Sequence, residues 1–104
     1  MVETRLAPGQ YLFKSGEAGD SMYLVHRGTL KIMRSGHVIA ELGEGSIVGE
    51  LAVLAPELRS ADAVAADNTH LLGVSQRTVE QLMSTYPSFG RAVVVELVRR
   101  LHAG

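Results

Sequence analysis

Residues Tyr11-Leu12-Phe13-Lys14-Ser15-Gly16-Glu17-Ala18-Gly19-Asp20-Ser21-Met22-Tyr23-Leu24-Val25-His26-Arg27-Gly28-Thr29-Leu30-Lys31-Ile32-Met33 decide the fold. Three short runs rich in β-branched and aromatic residues, Tyr11 to Phe13, Met22 to Val25 and Thr29 to Met33, alternate with Gly16, Gly19 and Gly28. Outward from this stretch the rhythm persists. Gly9 precedes it, and Gly36, Gly43, Gly45 and Gly49 follow, with the apolar run Val38 to Leu42 between them. Short strands separated by turn residues at near-regular spacing predict an antiparallel barrel or sandwich. Ser35-Gly36 predicts a hairpin turn. Ala61 to Ala66 and His70 to Val74 predict a further strand pair across Asp67-Asn68.

After Val74 the period changes. Ser75 suits an N-cap, and Val79, Leu82, Met83 and Tyr86 fall at i, i+3, i+4 and i+7, a helical stripe. Pro87 ends that helix and can open a second, in which Gly90, Val93, Val94, Leu97, Val98 and Leu101 share one face. Arg99, Arg100 and His102 suit the negative end of its dipole. The expected architecture is α+β: a glycine-rich antiparallel β-barrel over about residues 3–74, with two C-terminal helices over about 75–102. The 104 residues read as one domain, 1–104.

Composition narrows the function. Hydrophobic residues make up 46% and charged residues 20%, ordinary globular usage that excludes disorder. Zero cysteines exclude a disulfide scaffold, a thiol nucleophile and a Cys-ligated zinc. Ten Lys and Arg against eleven Asp and Glu leave a net charge of -1, no footprint for nucleic acid or an anionic membrane. No apolar run approaches the ~20 residues that span a bilayer, and the N-terminus lacks a secretory pattern. A cytoplasmic location is expected. His26, His37, His70 and His102 are scattered without metal-ligand spacing, and Ser21, Ser46 and Ser60 have no triad or Gly-x-Ser-x-Gly elbow. No metal site, required cofactor or catalytic activity is expected. Gly16, Gly19, Gly28 and Gly36 read as tight turns of the barrel rather than a phosphate loop.

The segment Gly45 to Ala63 behaves differently. Gly49-Glu50-Leu51-Ala52-Val53-Leu54 holds good helix formers for about one turn before Pro56, inside a strand-rich region. A short helix entered through a glycine leaves free backbone N–H groups and a partial positive charge at its start, which suits an anion. Arg59 follows Glu50 by nine residues, across a turn that Pro56 can make. An acid, a fixed cation and a cradle of amides suit a ligand with one phosphate and one or more hydroxyls.

At these residues the chain resembles the cyclic nucleotide-binding domain family. Its phosphate-binding cassette runs Phe-Gly-Glu-(Leu/Met)-Ala-Leu, then Pro-Arg-(Ala/Thr/Ser)-Ala. Here the cassette reads Val48-Gly49-Glu50-Leu51-Ala52-Val53-Leu54, then Leu58-Arg59-Ser60-Ala61. Upstream, Phe13-x-x-Gly16-Glu17-x-Gly19-Asp20-x-Met22-Tyr23-Leu24-Val25-x-x-Gly28 is similar to the family's barrel pattern. The resemblance implies a jelly-roll-like barrel with a short cassette helix. It implies that Glu50 and the Gly49 backbone hold the ribose 2′-OH, that amides at Leu51 and Ala52 face the cyclic phosphate, and that Arg59 neutralises it. Ser60 would reach a phosphate oxygen or a base edge, and Ala61 would add a backbone contact.

Three departures bear on this. Val48 replaces the family's Phe and Leu58 its Pro, both expected to loosen the cassette's packing, and Asp62 stands where Thr is common. A carboxylate at 62 would oppose an anionic ligand if it pointed inward. The resulting expectation is a regulatory module that senses cAMP, with cGMP as the alternative ligand. It would pass binding to an effector domain of a parent protein, or to a second copy through the C-terminal helix, without contacting nucleic acid or inserting in a membrane. The rival readings are a domain of the same fold that binds no nucleotide and serves as an interaction module, and the sensor half of a transcription regulator.

Overall fold

Alternation of small and branched side chains builds the core. A computed structural model describes residues 2–49 and 57–88. Ten strands precede one described helix: β1 Val2–Leu6, β2 Tyr11–Phe13, β3 Ala18–Gly19, β4 Ser21–Arg27, β5 Leu30–Arg34, β6 His37–Leu42, β7 Ile47–Val48, β8 Glu57–Leu58, β9 Asp62–Ala65, β10 Thr69–Ser75 and α1 Gln76–Thr85. Along β9 and β10, Ala63, Ala65, Thr69, Leu71 and Gly73 are buried, while the residues between them in each strand are half-buried. Period-two burial is what a sheet with one face on a core requires.

The strands make two four-stranded antiparallel sheets, ordered β1-β10-β4-β7 and β2-β9-β5-β6, with β3 and β8 forming a separate ribbon. Val25, Val48 and Leu71 of the first sheet meet Leu30 of the second, and Phe13, Ile32 and Leu42 pack around them. The core therefore lies between the sheets, the arrangement of a jelly roll. The hairpin expected at Ser35-Gly36 is present. Arg34 pairs with His37 across it, and Ser35 and Gly36 take φ of 52° and 77°, as a two-residue primed turn demands.

Sequence and structure differ at several points. Strand β9 begins at Asp62 rather than Ala61, and β1, β3, β7 and β8 were not expected. Three of these four have only two residues, too few to show a period, and β1, Val2-Glu3-Thr4-Arg5-Leu6, carries two charges. Ser75 does cap α1, its hydroxyl accepting the Thr78 amide at 3.1 Å. Of the predicted stripe, Val79 packs on Met22, Ile47 and Val74. Met83 is 40% exposed, and Tyr86, beyond the helix, is 61% exposed. Among the stripe residues whose side chains are described, Val79 alone is buried, so the stripe overstates the buried length. The second helix, with its Gly90 to Leu101 face, falls outside the described residues but for its start at Pro87-Ser88.

Candidate functional site

Arg59 leaves strand β8 and is held at both its backbone and its side chain. The β3–β8 ribbon pairs Ala18 with Leu58 and Gly19 with Glu57. Beyond it the Arg59 amide donates to the Glu17 carbonyl at 2.8 Å, and the Gly16 amide donates to the Arg59 carbonyl at 2.8 Å. The turn that receives these bonds is itself tied down. Ser15 N–H donates to the Asp62 carboxylate at 2.7 Å, and Lys14 N–H donates to the Glu17 carboxylate. Arg34 Nε adds a bond to the Ser60 carbonyl at 3.3 Å.

The guanidinium has equally few freedoms. Nη2 donates to the Ser21 carbonyl at 2.8 Å, and Cζ sits 4.3 Å from the Phe13 ring centroid, a cation–π stack. Two glycines make room for it. A Cβ on Gly49, whose φ is +75°, would stand 2.5 Å from Nη1 and 3.1 Å from the Ser21 carbonyl oxygen. A Cβ on Gly19 would fall on the same guanidinium, 2.5 Å from Nη2 and closer still to Nε and Cζ. Gly19 is therefore not a turn glycine, as the sequence suggested. It has no positive φ, and what it provides is clearance for Arg59.

The structure brings Gly49 and Arg59 together, though they lie ten positions apart in sequence. Glu50, Leu51, Ala52 and the short helix expected after Gly49 lie outside the described residues. Ser60 is exposed, and Ala61 is 6% exposed, facing the core. The three departures from the cassette pattern resolve as follows. Val48 is a core residue at 7% exposure, paired with Tyr23, so the smaller side chain still packs. Leu58 is 63% exposed and contributes little packing. Asp62 lies between buried Ala61 and Ala63, and its carboxylate accepts from Ser15. It staples the turn that clasps the Arg59 backbone.

Sequence reasoning passed over Phe13, Gly19 and the Ser21 carbonyl as members of this site. A signal for the first two existed in Phe13-x-x-Gly16-x-x-Gly19, read there as barrel pattern alone. A backbone carbonyl leaves no such trace. Chemically, Ser21 engages one of five guanidinium N–H donors, and a planar fork can offer the others to an oxyanion. Among the described residues no carboxylate forms an ion pair with Arg59.

Comparison with known proteins identifies the family. The family model described as the cyclic nucleotide-binding domain matches residues 3–86. The chain belongs to this family. A cyclic AMP receptor protein of Thermus thermophilus is 32% identical over 105 residues, 95% of this chain and 49% of that protein. An uncharacterised NTE family protein of Mycobacterium tuberculosis is 32% identical over 102 residues, 96% of this chain and 18% of that protein. A solved cyclic nucleotide-binding domain from Methylobacillus flagellatus superposes with a TM-score of 0.93 at 27% identity, covering 97% of this chain and 60% of that one. The chain thus spans less than half the length of these two sequence relatives. The Methylobacillus domain and this chain share the fold described above. Among the described residues, no helix is long and apolar enough to cross a membrane.

Proposed function

We propose that the chain is a regulatory module that binds a cyclic nucleotide, with cAMP preferred over cGMP, and controls an effector region of a larger protein rather than performing catalysis. The observation that carries this reading is the guanidinium of Arg59 fixed against Gly49, at the entry to the cassette. On this reading the free N–H groups of Arg59 pair with the cyclic phosphate. Amides at Leu51 and Ala52 share that charge, and Glu50 with the Gly49 backbone accepts from the ribose 2′-OH. Ser60 reaches a phosphate oxygen or a base edge, and the Ala61 backbone adds a contact. A ligand contact of this kind regulates when it favours one arrangement of cassette and C-terminal helices over another. A second copy joined through the C-terminal helix would serve as one such readout.

Phosphate and ribose contacts are common to both ligands, so discrimination falls to the base. Ser60 is the one hydroxyl beside Arg59 on this segment, and it lacks the methyl that restricts a threonine rotamer. The preference for cAMP is therefore expected to be on the order of 1 kcal/mol, the worth of a single neutral hydrogen bond. Calorimetric titration with each nucleotide tests both statements. Tighter cGMP binding refutes the ordering, and heat from neither nucleotide refutes the reading.

A further inference from the structure

The opposite end of strand β4 carries a second concentration of cationic groups. In the register of the first sheet, Arg5 of β1 pairs with His70 of β10, and His70 pairs with Arg27 of β4, so three basic residues stand abreast. The register slips between His70 and Leu71, which sets both His26 and Arg27 against His70. The His26 ring meets the His70 ring edge-on at 5.1 Å between centroids. These four side chains, with Gln10 and Asn68, border a cleft of about 780 Å³.

Among the described residues a single acidic contact reaches this group, and neither Arg5 nor Arg27 forms an ion pair. The Glu3 carboxylate, 67% exposed, stands 3.7 Å from His70 Nε2, beyond hydrogen-bonding distance. Nε2 is buried and has no hydrogen-bond partner, a cost that native structures seldom leave unexplained. Six intervals of extended chain separate Ser21 from Arg27, which puts the cleft about 20 Å from the Ser21 carbonyl that holds Arg59.

We propose that this cleft is an anion-binding site separate from the Arg59 site. It takes a small, multiply charged oxyanion, a phosphate or a polycarboxylate. Arg5 and Arg27 supply the paired N–H forks that match such oxygens, and the two imidazoles and the Gln10 and Asn68 amides supply single donors. The proposal does not depend on cyclic nucleotide binding.

The test titrates the intact chain with inorganic phosphate and with citrate, against sodium chloride at equal ionic strength, following the His26 and His70 ring resonances and the melting temperature. A saturable response to phosphate, to citrate or to both is expected, and the pattern identifies the preferred class. Arg5 and Arg27 are exposed, so R5Q/R27Q leaves the core intact, as an unchanged melting temperature in chloride would verify. That double variant is expected to weaken the response at least about tenfold, in line with losing hydrogen bonds to a charged group. E3Q, which removes the competing carboxylate, is expected to tighten it roughly two- to fivefold. Chloride acting as well as phosphate and citrate, or a response undiminished in R5Q/R27Q, overturns the proposal. A cyclic nucleotide titration on the same double variant separates the two sites, since failure at one leaves the other measurable.

Discussion

Strand β4 has a basic group at each end, and the two ends treat it in opposite ways. At the Ser21 end a single guanidinium is held by a carbonyl, an aromatic ring and two glycines that leave no spare space. At the Arg27 end, four basic side chains border an open cleft, and the carboxylate in contact with His70, that of Glu3, is mostly exposed. The first arrangement meets its ordering cost on folding, so a ligand meets a preset donor geometry. The second leaves that cost to the ligand. Preorganisation suits discrimination among ligands of similar charge, whereas a loose cluster suits any oxyanion of the right size.

The largest expected effect comes from removing the held group. Arg59→Leu should weaken cyclic nucleotide binding by at least about 2 kcal/mol, the usual cost of truncating one partner of a desolvated charge pair. Arg59→Lys should recover only part of it, because an ammonium offers a point charge in place of a fork. Equal affinities in wild type and Arg59→Leu, measured by calorimetry, would erase the contrast between the ends. Gly49→Ala comes next. A positive φ costs a residue with a Cβ about 1–2 kcal/mol, and this Cβ would also press on Nη1. Both folding stability and nucleotide affinity should fall, read by denaturant melt and titration. A variant as stable and as tight as wild type would mean that the guanidinium can be displaced at little cost.

How much of this the sequence could supply depends on whether a feature has a period or a side chain. Strands β2, β4, β5, β6, β9 and β10, the Ser35-Gly36 turn and the Ser75 cap were legible because turn residues and apolar runs announce them. The cassette pattern set Glu50 toward Arg59, and Glu50 lies outside the described residues; the approach of Gly49 to the guanidinium was not read from it. Two-residue strands such as β3 and β8 were not legible, since pairing with a distant partner creates them and no local preference does. The orientation of Asp62 was also closed to sequence, because the register of β9 against β5 sets the phase of its alternation. The row Arg5–His70–Arg27 spans 66 positions and exists only through the register of three strands. Charge counting over the whole chain averages it away.

A smaller effect is expected at Phe13. Its ring lies 4.3 Å under the Arg59 guanidinium, and at a partly exposed site such a stack contributes about 0.5–1 kcal/mol. Phe13→Leu keeps an apolar side chain beside the core while removing the π face. Nucleotide affinity should drop by a factor of about two to five by that estimate, and Phe13→Tyr should restore it. If Leu and Tyr variants bind alike, the ring is packing material and Arg59 is held by Ser21 alone.

Asp62 should affect ligand binding least, and the sign of its effect is the informative part. A carboxylate facing an anionic ligand would repel it, so removing that carboxylate would tighten binding. Here the carboxylate accepts the Ser15 amide at 2.7 Å and lies on the opposite side of β9 from the buried alanines. Its work is to fix the turn whose Gly16 amide and Glu17 carbonyl clasp the Arg59 backbone. Asp62→Ala should therefore lower folding stability by about 1 kcal/mol, the net worth of one such bond. Nucleotide affinity should stay the same or weaken slightly as the turn loosens, while Asp62→Asn, which keeps an acceptor, should lie closer to wild type. Tighter binding in Asp62→Ala would place the charge on the ligand side of the strand and contradict the outward orientation.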